Sequence, residues 1–119
     1  MPAQQKRAIV VLGMHRSGTS AVAGAVKLLG AERPVAMPQG GPSNLLAYFE
    51  AYGVIHVNDW ILRIGGCTWY DCLGFSLDSL DESERRIAMA LINICINAEF
   101  GDASLLLLKD PRLCLLVDY

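Results

Sequence analysis

The chain predicts an α/β fold, a parallel sheet with flanking helices, and three observations carry the prediction. Residues 8–12, and 105–108 within the strand expected over 104–108, are short, continuous apolar runs, the pattern of strands covered on both faces of a parallel sheet. The stretches between them repeat apolar residues at helical spacing. A glycine-bounded loop joins the first run to the first helix, as in a strand, phosphate-binding loop and helix unit.

Each element follows in order. After strand 8–12, a helix begins at Thr19 or Ser20, with Val22, Val26 and Leu29 at helical spacing and Gly30 as its C-cap. Residues 31–44 hold Pro34, Pro38, Gly40, Gly41 and Pro42, so they are expected to be mostly loop, with a short strand around 35–37. A loop so close to a phosphate site could help admit an acceptor. A second helix is predicted over 50–64, with Val54, Val57, Ile61 and Ile64 on one side and Gly65-Gly66 closing it. Trp69 and Tyr70 follow in a loop; packing under the sheet is the expected role, and lining an acceptor pocket the other. Asp81 and Glu84 form a capping pair ahead of Ile87, Leu91, Ile94 and Cys95, which predicts an amphipathic helix running to Phe100 and stopped by Gly101. The strand 104–108 then ends at Lys109-Asp110-Pro111.

Composition bounds what such a fold can do. At 119 residues the chain is expected to form a single domain, 1–119, able to bury a workable core. Apolar residues make up 53% and charged residues 18%, which argues against disorder and for a filled core or a surface awaiting a partner. A net charge of −2 offers no general attraction to nucleic acid or to an anionic membrane, so anion binding must come from local geometry. No apolar stretch approaches the roughly 20 residues of a membrane span, no signal-peptide core is present, and the chain reads as cytoplasmic. Cys67, Cys72, Cys95 and Cys114 lack CxxC spacing, and His15 and His56 do not join them in a ligand pattern. No metal site is expected, and the cysteines read as small buried hydrophobes.

One segment names a chemistry. Residues 13–20 read GMHRSGTS, and a glycine near each end lets successive backbone N–H groups turn inward on an anion at the positive end of the next helix. Against the nucleotide-triphosphatase pattern, Gly13, Gly18 and Ser20 match, but Thr19 stands where the lysine belongs. That lysine balances charge on the β and γ phosphates during transfer, so its loss argues against triphosphate hydrolysis. Arg16 supplies a cation from within the loop instead, which suits a single, doubly substituted 5′ phosphate. The plain alternative is a glycine turn between a core strand and a core helix.

If the two apolar strands are neighbours in one parallel sheet, their carboxyl ends bring Arg16 and Lys109 to the same edge, where ligands bind in such folds. An acceptor hydroxyl would also need a base. Glu50 is the candidate, with capping of its own helix as the equal alternative; His15, inside the loop, ranks second. Asp110 and Arg112 read either as a mutual pair or, for Asp110, as the magnesium-holding aspartate of a nucleotide kinase.

The loop, the element Tyr48-Phe49-Glu50 and the run LLLLKDPRL at 105–113 together resemble the sulfotransferase family, in particular its bacterial and tyrosylprotein-type branches. The likeness spans nearly the whole chain. It implies a P-loop-containing nucleoside triphosphate hydrolase-like fold and a donor, 3′-phosphoadenosine 5′-phosphosulfate (PAPS), as co-substrate. By this resemblance Arg16, Ser17, Gly18, Thr19 and Ser20 would hold the 5′-phosphosulfate, Lys109 would contact its bridging oxygen, and Glu50 would be the base. The sulfuryl group would pass to a hydroxyl or amine of a small-molecule, carbohydrate or peptide acceptor. Family members carry a further strand and helix after the KDP element that holds the 3′ phosphate. Its lack here implies an incomplete fold, a missing C-terminal segment or an obligate homo-oligomer, and an isolated chain that is inactive or incomplete. Two other classes stay open: a P-loop kinase relative and a non-catalytic anion-binding fragment.

Overall fold

A computed structural model of the chain describes residues 5–14, 16–35, 39–41, 44–47 and 49–116. Its elements run β1 (Arg7–Val11), α1 (Thr19–Leu28), β2 (Gln39–Gly41), β3 (Asn44–Ala47), α2 (Tyr52–Ile64), a 3₁₀ turn (Leu77–Ser79), α3 (Glu82–Phe100), β4 (Leu105–Lys109) and α4 (Leu113–Leu116). The structure is mixed α/β. Strands β1 and β4 pair in parallel, with Arg7 opposite Leu105 and Val11 opposite Lys109. On the far side of β4, Glu32 adds a parallel bridge to Leu106.

The register follows from what each strand carries. Leu106 and Leu107 are buried, and Leu107, completely enclosed, forms a small core under α1 with Val11, Ala23 and Ala31. β1 does not match its expected burial on both faces: Arg7 to Val10 are exposed and only Val11 is buried. Among the described residues β1 has one neighbour, so its outer edge and much of its surface go uncovered.

Helix α1 begins at the expected residue and is followed by Gly30 at φ 108°, the left-handed conformation that favours glycine after a helix. Its buried face is not the predicted one. Val22 and Leu29 are exposed and Val26 half-buried, whereas Thr19 and Ala23 are buried. Small residues win here because they bring the helix close: an added Cβ at Gly24 would lie 3.7 Å from the Phe49 ring.

The second core joins α2, α3 and α4. Ile61 and Leu62 of α2 are almost fully buried with Val57, Ala88 and Leu116. α3 starts with the expected reciprocal cap: the Glu84 amide donates to Asp81 Oδ1 at 2.8 Å, and the Asp81 amide to Glu84 Oε2 at 2.9 Å. Its packed stripe is Ala88, Ile92 and Cys95; of the four predicted residues Cys95 packs as expected, while Ile87, Leu91 and Ile94 are exposed. The two stripes lie side by side on one helix, and contact with α2 selects the one with the smaller residue at its start.

Two further expectations change. The stretch 31–44, read as mostly loop because of its glycines and prolines, contains β2 and the first residue of β3, which pair antiparallel. Of the strand expected around 35–37, Val35 lies in a bend and the other two positions fall outside the described residues. Trp69 and Tyr70 stack edge to face, centroids 5.2 Å apart, in the loop after α2, at 44% and 73% exposure, more open to water than the expected packing role implies. The four cysteines are free, with Cys67 buried and the others half-buried. Among the described residues no helix is long and apolar enough to cross a membrane, and no cluster of three metal-ligating side chains occurs.

Candidate functional site

Strand register puts the loop and the second strand's lysine on one rim. Because Val11 stands opposite Lys109, the loop that leaves β1 at Leu12 and the polar run that leaves β4 at Asp110 start from the same edge of the sheet. This is the edge where α/β folds bind ligands.

The loop closes tightly on itself. A Cβ on Gly13 would lie 2.4 Å from Thr19 Cγ2 and 2.8 Å from Ser17 Oγ, so glycine alone lets the first residue pass beneath the helix start. Ser17 Oγ donates to the Met14 carbonyl at 2.6 Å, pinning the loop from inside. Arg16 and Gly18 both take left-handed backbone, at φ 63° and 83°, the alternation that turns successive amides toward one side. Gly18 is the N-cap of α1, and no side chain caps the helix. Gly18 therefore brings no carboxylate or hydroxyl of its own to the first-turn amides of α1.

The loop residues divide by exposure. Thr19, standing where a nucleotide-binding lysine would, is buried, and its methyl packs against Gly13. Arg16, Ser17 and Gly18 are exposed on the rim, and Ser20 is half-buried.

Lys109 and Glu50 meet at this rim. Lys109 Nζ lies 2.5 Å from Glu50 Oε1 and donates to Ser20 Oγ at 3.4 Å. Both charged side chains are withdrawn from water, at 4% and 11% exposure. The first residues of α1, the entry to α2 and the end of β4 are thus joined through one ammonium group. This settles the reading of Glu50 as a cap: Ala51 is the N-cap of α2, with no side-chain cap bond, and Glu50 turns to Lys109 instead.

The backbone before Glu50 is held in an unusual shape. Phe49 has φ 58°, a region costing a bulky residue on the order of 1–3 kcal/mol. Its ring packs on α1 at Gly24 and against the β1–β4 core. That packing holds the chain in the conformation that sends Glu50 toward Lys109.

A second polar group fixes the other side of Lys109. Asp110, 1% exposed, accepts from Asn58 Nδ2 at 2.9 Å, from the Arg112 amide at 3.1 Å and from Arg112 Nη1 at 2.8 Å. Arg112 Nε donates to Asp59 at 2.5 Å. Burial pulls the Arg112 guanidinium down, but the hydrogen bond to Asp59 and the charges of Asp110 and Asp59 outweigh it and leave its pKa raised. Both Asp110 oxygens are engaged by Asn58 and Arg112, so in this structure it forms the mutual pair with Arg112. Asn58 and Asp59, one turn and more into α2, went unnoticed in the sequence. The signal available was two polar residues inside an otherwise apolar helical stripe.

Of the predicted site residues, the structure brings together Glu50, Lys109 and Ser20, and sets Arg16, Ser17, Gly18 and Thr19 in the adjoining loop. His15, the second candidate base, and Tyr48, which begins the resembling element, lie outside the described residues. Comparison with family models, curated proteins and solved structures finds no match to this chain.

Proposed function

We propose that the chain is a sulfotransferase-type protein that holds the 5′-phosphosulfate of PAPS in the loop at residues 13–20 and supports transfer of its sulfuryl group to an acceptor hydroxyl or amine. The observation that carries this reading is the meeting of Lys109, Glu50 and Ser20 beside a lysine-less phosphate loop. Loop amides and Arg16 would hold the equatorial oxygens. The acceptor oxygen attacks sulfur, and the bond from sulfur to the bridging oxygen breaks. Its electron pair leaves with 3′-phosphoadenosine 5′-phosphate (PAP), where Lys109 balances the new charge. Glu50 takes the acceptor proton.

A P-loop kinase relative needs a cation in the loop's lysine position and a free acidic ligand for magnesium. Thr19 is buried under Gly13, and both Asp110 oxygens already accept hydrogen bonds from Asn58 and Arg112. Both observations favour the sulfotransferase reading.

Melting shifts test it. PAP should raise the melting temperature, ATP with magnesium should not, and Arg16→Ala should remove the PAP shift. Stabilisation by magnesium-ATP without a response to PAP would replace this reading with the kinase one; no response to either, or to sulfate, would leave a non-catalytic fragment.

A further inference from the structure

The loop after α2 turns back on itself and sets two cysteines opposite each other. The Thr68 amide donates to the Asp71 carbonyl at 2.8 Å and the Asp71 amide to the Thr68 carbonyl at 3.3 Å, so these residues form a hydrogen-bonded cross-strand pair around the two-residue turn of Trp69 and Tyr70. The Thr68 hydroxyl accepts from the same Asp71 amide at 3.1 Å and braces the turn. In such a ladder the next pair outward, Cys67 and Cys72, is of the non-hydrogen-bonded kind, with backbone groups pointing away from each other. The neighbouring bonds agree: the Cys67 amide donates to the Leu62 carbonyl at 2.8 Å, and the Cys72 carbonyl accepts from the Phe75 amide at 3.2 Å. Paired residues share a face, and both side chains reach the α2 core, Cys67 buried in it and Cys72 packed against it. Cys67 Sγ also donates weakly to the carbonyl of Leu73, the residue after Cys72, at 3.9 Å.

A non-hydrogen-bonded pair holds its Cα atoms about 4.5 Å apart, inside the range of roughly 4.4–6.8 Å that a disulfide spans. The other thiols are placed elsewhere. Cys95 Sγ lies against Gly53 in the first turn of α2, roughly 16 Å along the helix from Ile64, where the loop begins. Cys114, on α4, is outside the α2 core.

We propose that Cys67 and Cys72 form a reversible disulfide by exchange with a low-molecular-weight disulfide such as oxidised glutathione. Cys72 is half-buried and Cys67 only 6% exposed, so Cys72 is the entry thiol. Its thiolate attacks one sulfur of glutathione disulfide, whose S–S bond breaks, and one glutathione leaves while the other stays on Cys72 as a mixed disulfide. The Cys67 thiolate then attacks the Cys72 sulfur and releases the second glutathione. The two cysteine protons end on the two released thiols, and the two electrons lost by the cysteines are those gained by glutathione. The bridge fastens the exposed Trp69–Tyr70 turn to the end of α2, so the state of the thiol pool sets how firmly that turn is held.

Peptide mass spectrometry on the full chain tests this. Trypsin releases Cys67 and Cys72 together on residues 64–85, Cys95 on 87–109 and Cys114 on 113–119. After incubation of the folded chain with oxidised glutathione and alkylation in denaturant without reductant, peptide 64–85 should lack two hydrogens and carry no alkyl group, while the other two are alkylated. The melting temperature should rise by about 5–10 °C and return when reduced glutathione is added. Cys67→Ala should stop at the mixed disulfide, with one glutathione retained on Cys72; Cys72→Ala should leave Cys67 reduced and the melting temperature unmoved by the oxidant. The wild-type map decides the question even if either variant does not fold. Linkage of Cys67 or Cys72 to Cys95 or Cys114, recovery of both alkylated, or a bridge that lowers the melting temperature would overturn the proposal.

Discussion

Asp110→Ala is the substitution whose effect can be worked furthest from the geometry. The carboxylate is 1% exposed and accepts three hydrogen bonds, from Asn58 Nδ2 and from the amide and Nη1 of Arg112. Removing it leaves the Asn58 amide, itself 2% exposed, without this acceptor, and strips Arg112 of one of two carboxylates. Breaking a buried pair costs about 3–5 kcal/mol; because Arg112 keeps Asp59 at 2.5 Å, the lower end applies, about 3 kcal/mol. An unfolding entropy of about 2.1 cal/mol/K per residue over 119 residues gives roughly 0.25 kcal/mol/K, so the melting temperature should fall by about 12 °C. Thermal unfolding followed by circular dichroism measures this. Asn58→Ala and the double variant complete a cycle whose coupling should reach about 1–2 kcal/mol. A fall of less than about 3 °C, or simple additivity of the two single changes, would show that Asp110 does not tie β4 to α2.

Gly13→Ala sets a methyl 2.4 Å from Thr19 Cγ2; the loop must open, and sulfate- or PAP-induced stabilisation should disappear while far-UV circular dichroism is retained. Phe49 sits at φ 58° with its ring on Gly24, so Phe49→Ala should destabilise by about 2 kcal/mol, and Phe49→Gly should be the more stable of the two by about 1 kcal/mol, the reverse of the usual order; urea unfolding of both variants reads the sign. Burial, and after it the charge of Glu99, push the Cys95 thiol above its ordinary pKa. Since the thiolate is the reacting form, alkylation of Cys95 by iodoacetamide should still accelerate between pH 9 and 10, where an ordinary thiol has largely levelled off, as followed by peptide mass spectrometry.

How far the fold could be read depended on whether a signal was local. Strand and helix positions came through because apolar runs, the Asp81–Glu84 cap and the glycines at 30, 65 and 101 act within a few residues of themselves. The packed faces of α1 and α3 did not. Both helices carry apolar residues on more than one stripe, and sequence periodicity cannot tell a stripe that meets a neighbour from one that does not. In α1 the deciding factor was Ala23 and Gly24, whose small size permits close approach to β4 and Phe49; in α3 it was the contact of Ala88 and Cys95 with the α2 core. The hairpin of β2 and β3 was hidden by Gly40, Gly41 and Pro42, residues that equally mark an irregular loop and the turn of a short ladder.

The site was legible to the extent that topology alone fixes it. A parallel pairing of two strands brings their ends to one rim, and Val11 opposite Lys109 delivers the loop and the lysine there without any side-chain argument. What chemistry the rim supports depends on contacts that no spacing encodes. Glu50 could cap a helix or face an anion site, and the choice goes with the residue before it, Phe49, whose backbone sits at φ 58° with its ring against Gly24 and the β1–β4 core. Asp110 could hold a metal or an arginine, and that choice was made in α2 by Asn58 and Asp59. With Asp110 bound by Asn58 and Arg112 and Glu50 bound to Lys109, both acidic side chains at the end of β4 tie it to α2 and its entry, and neither commitment is written in the local spacing of the chain.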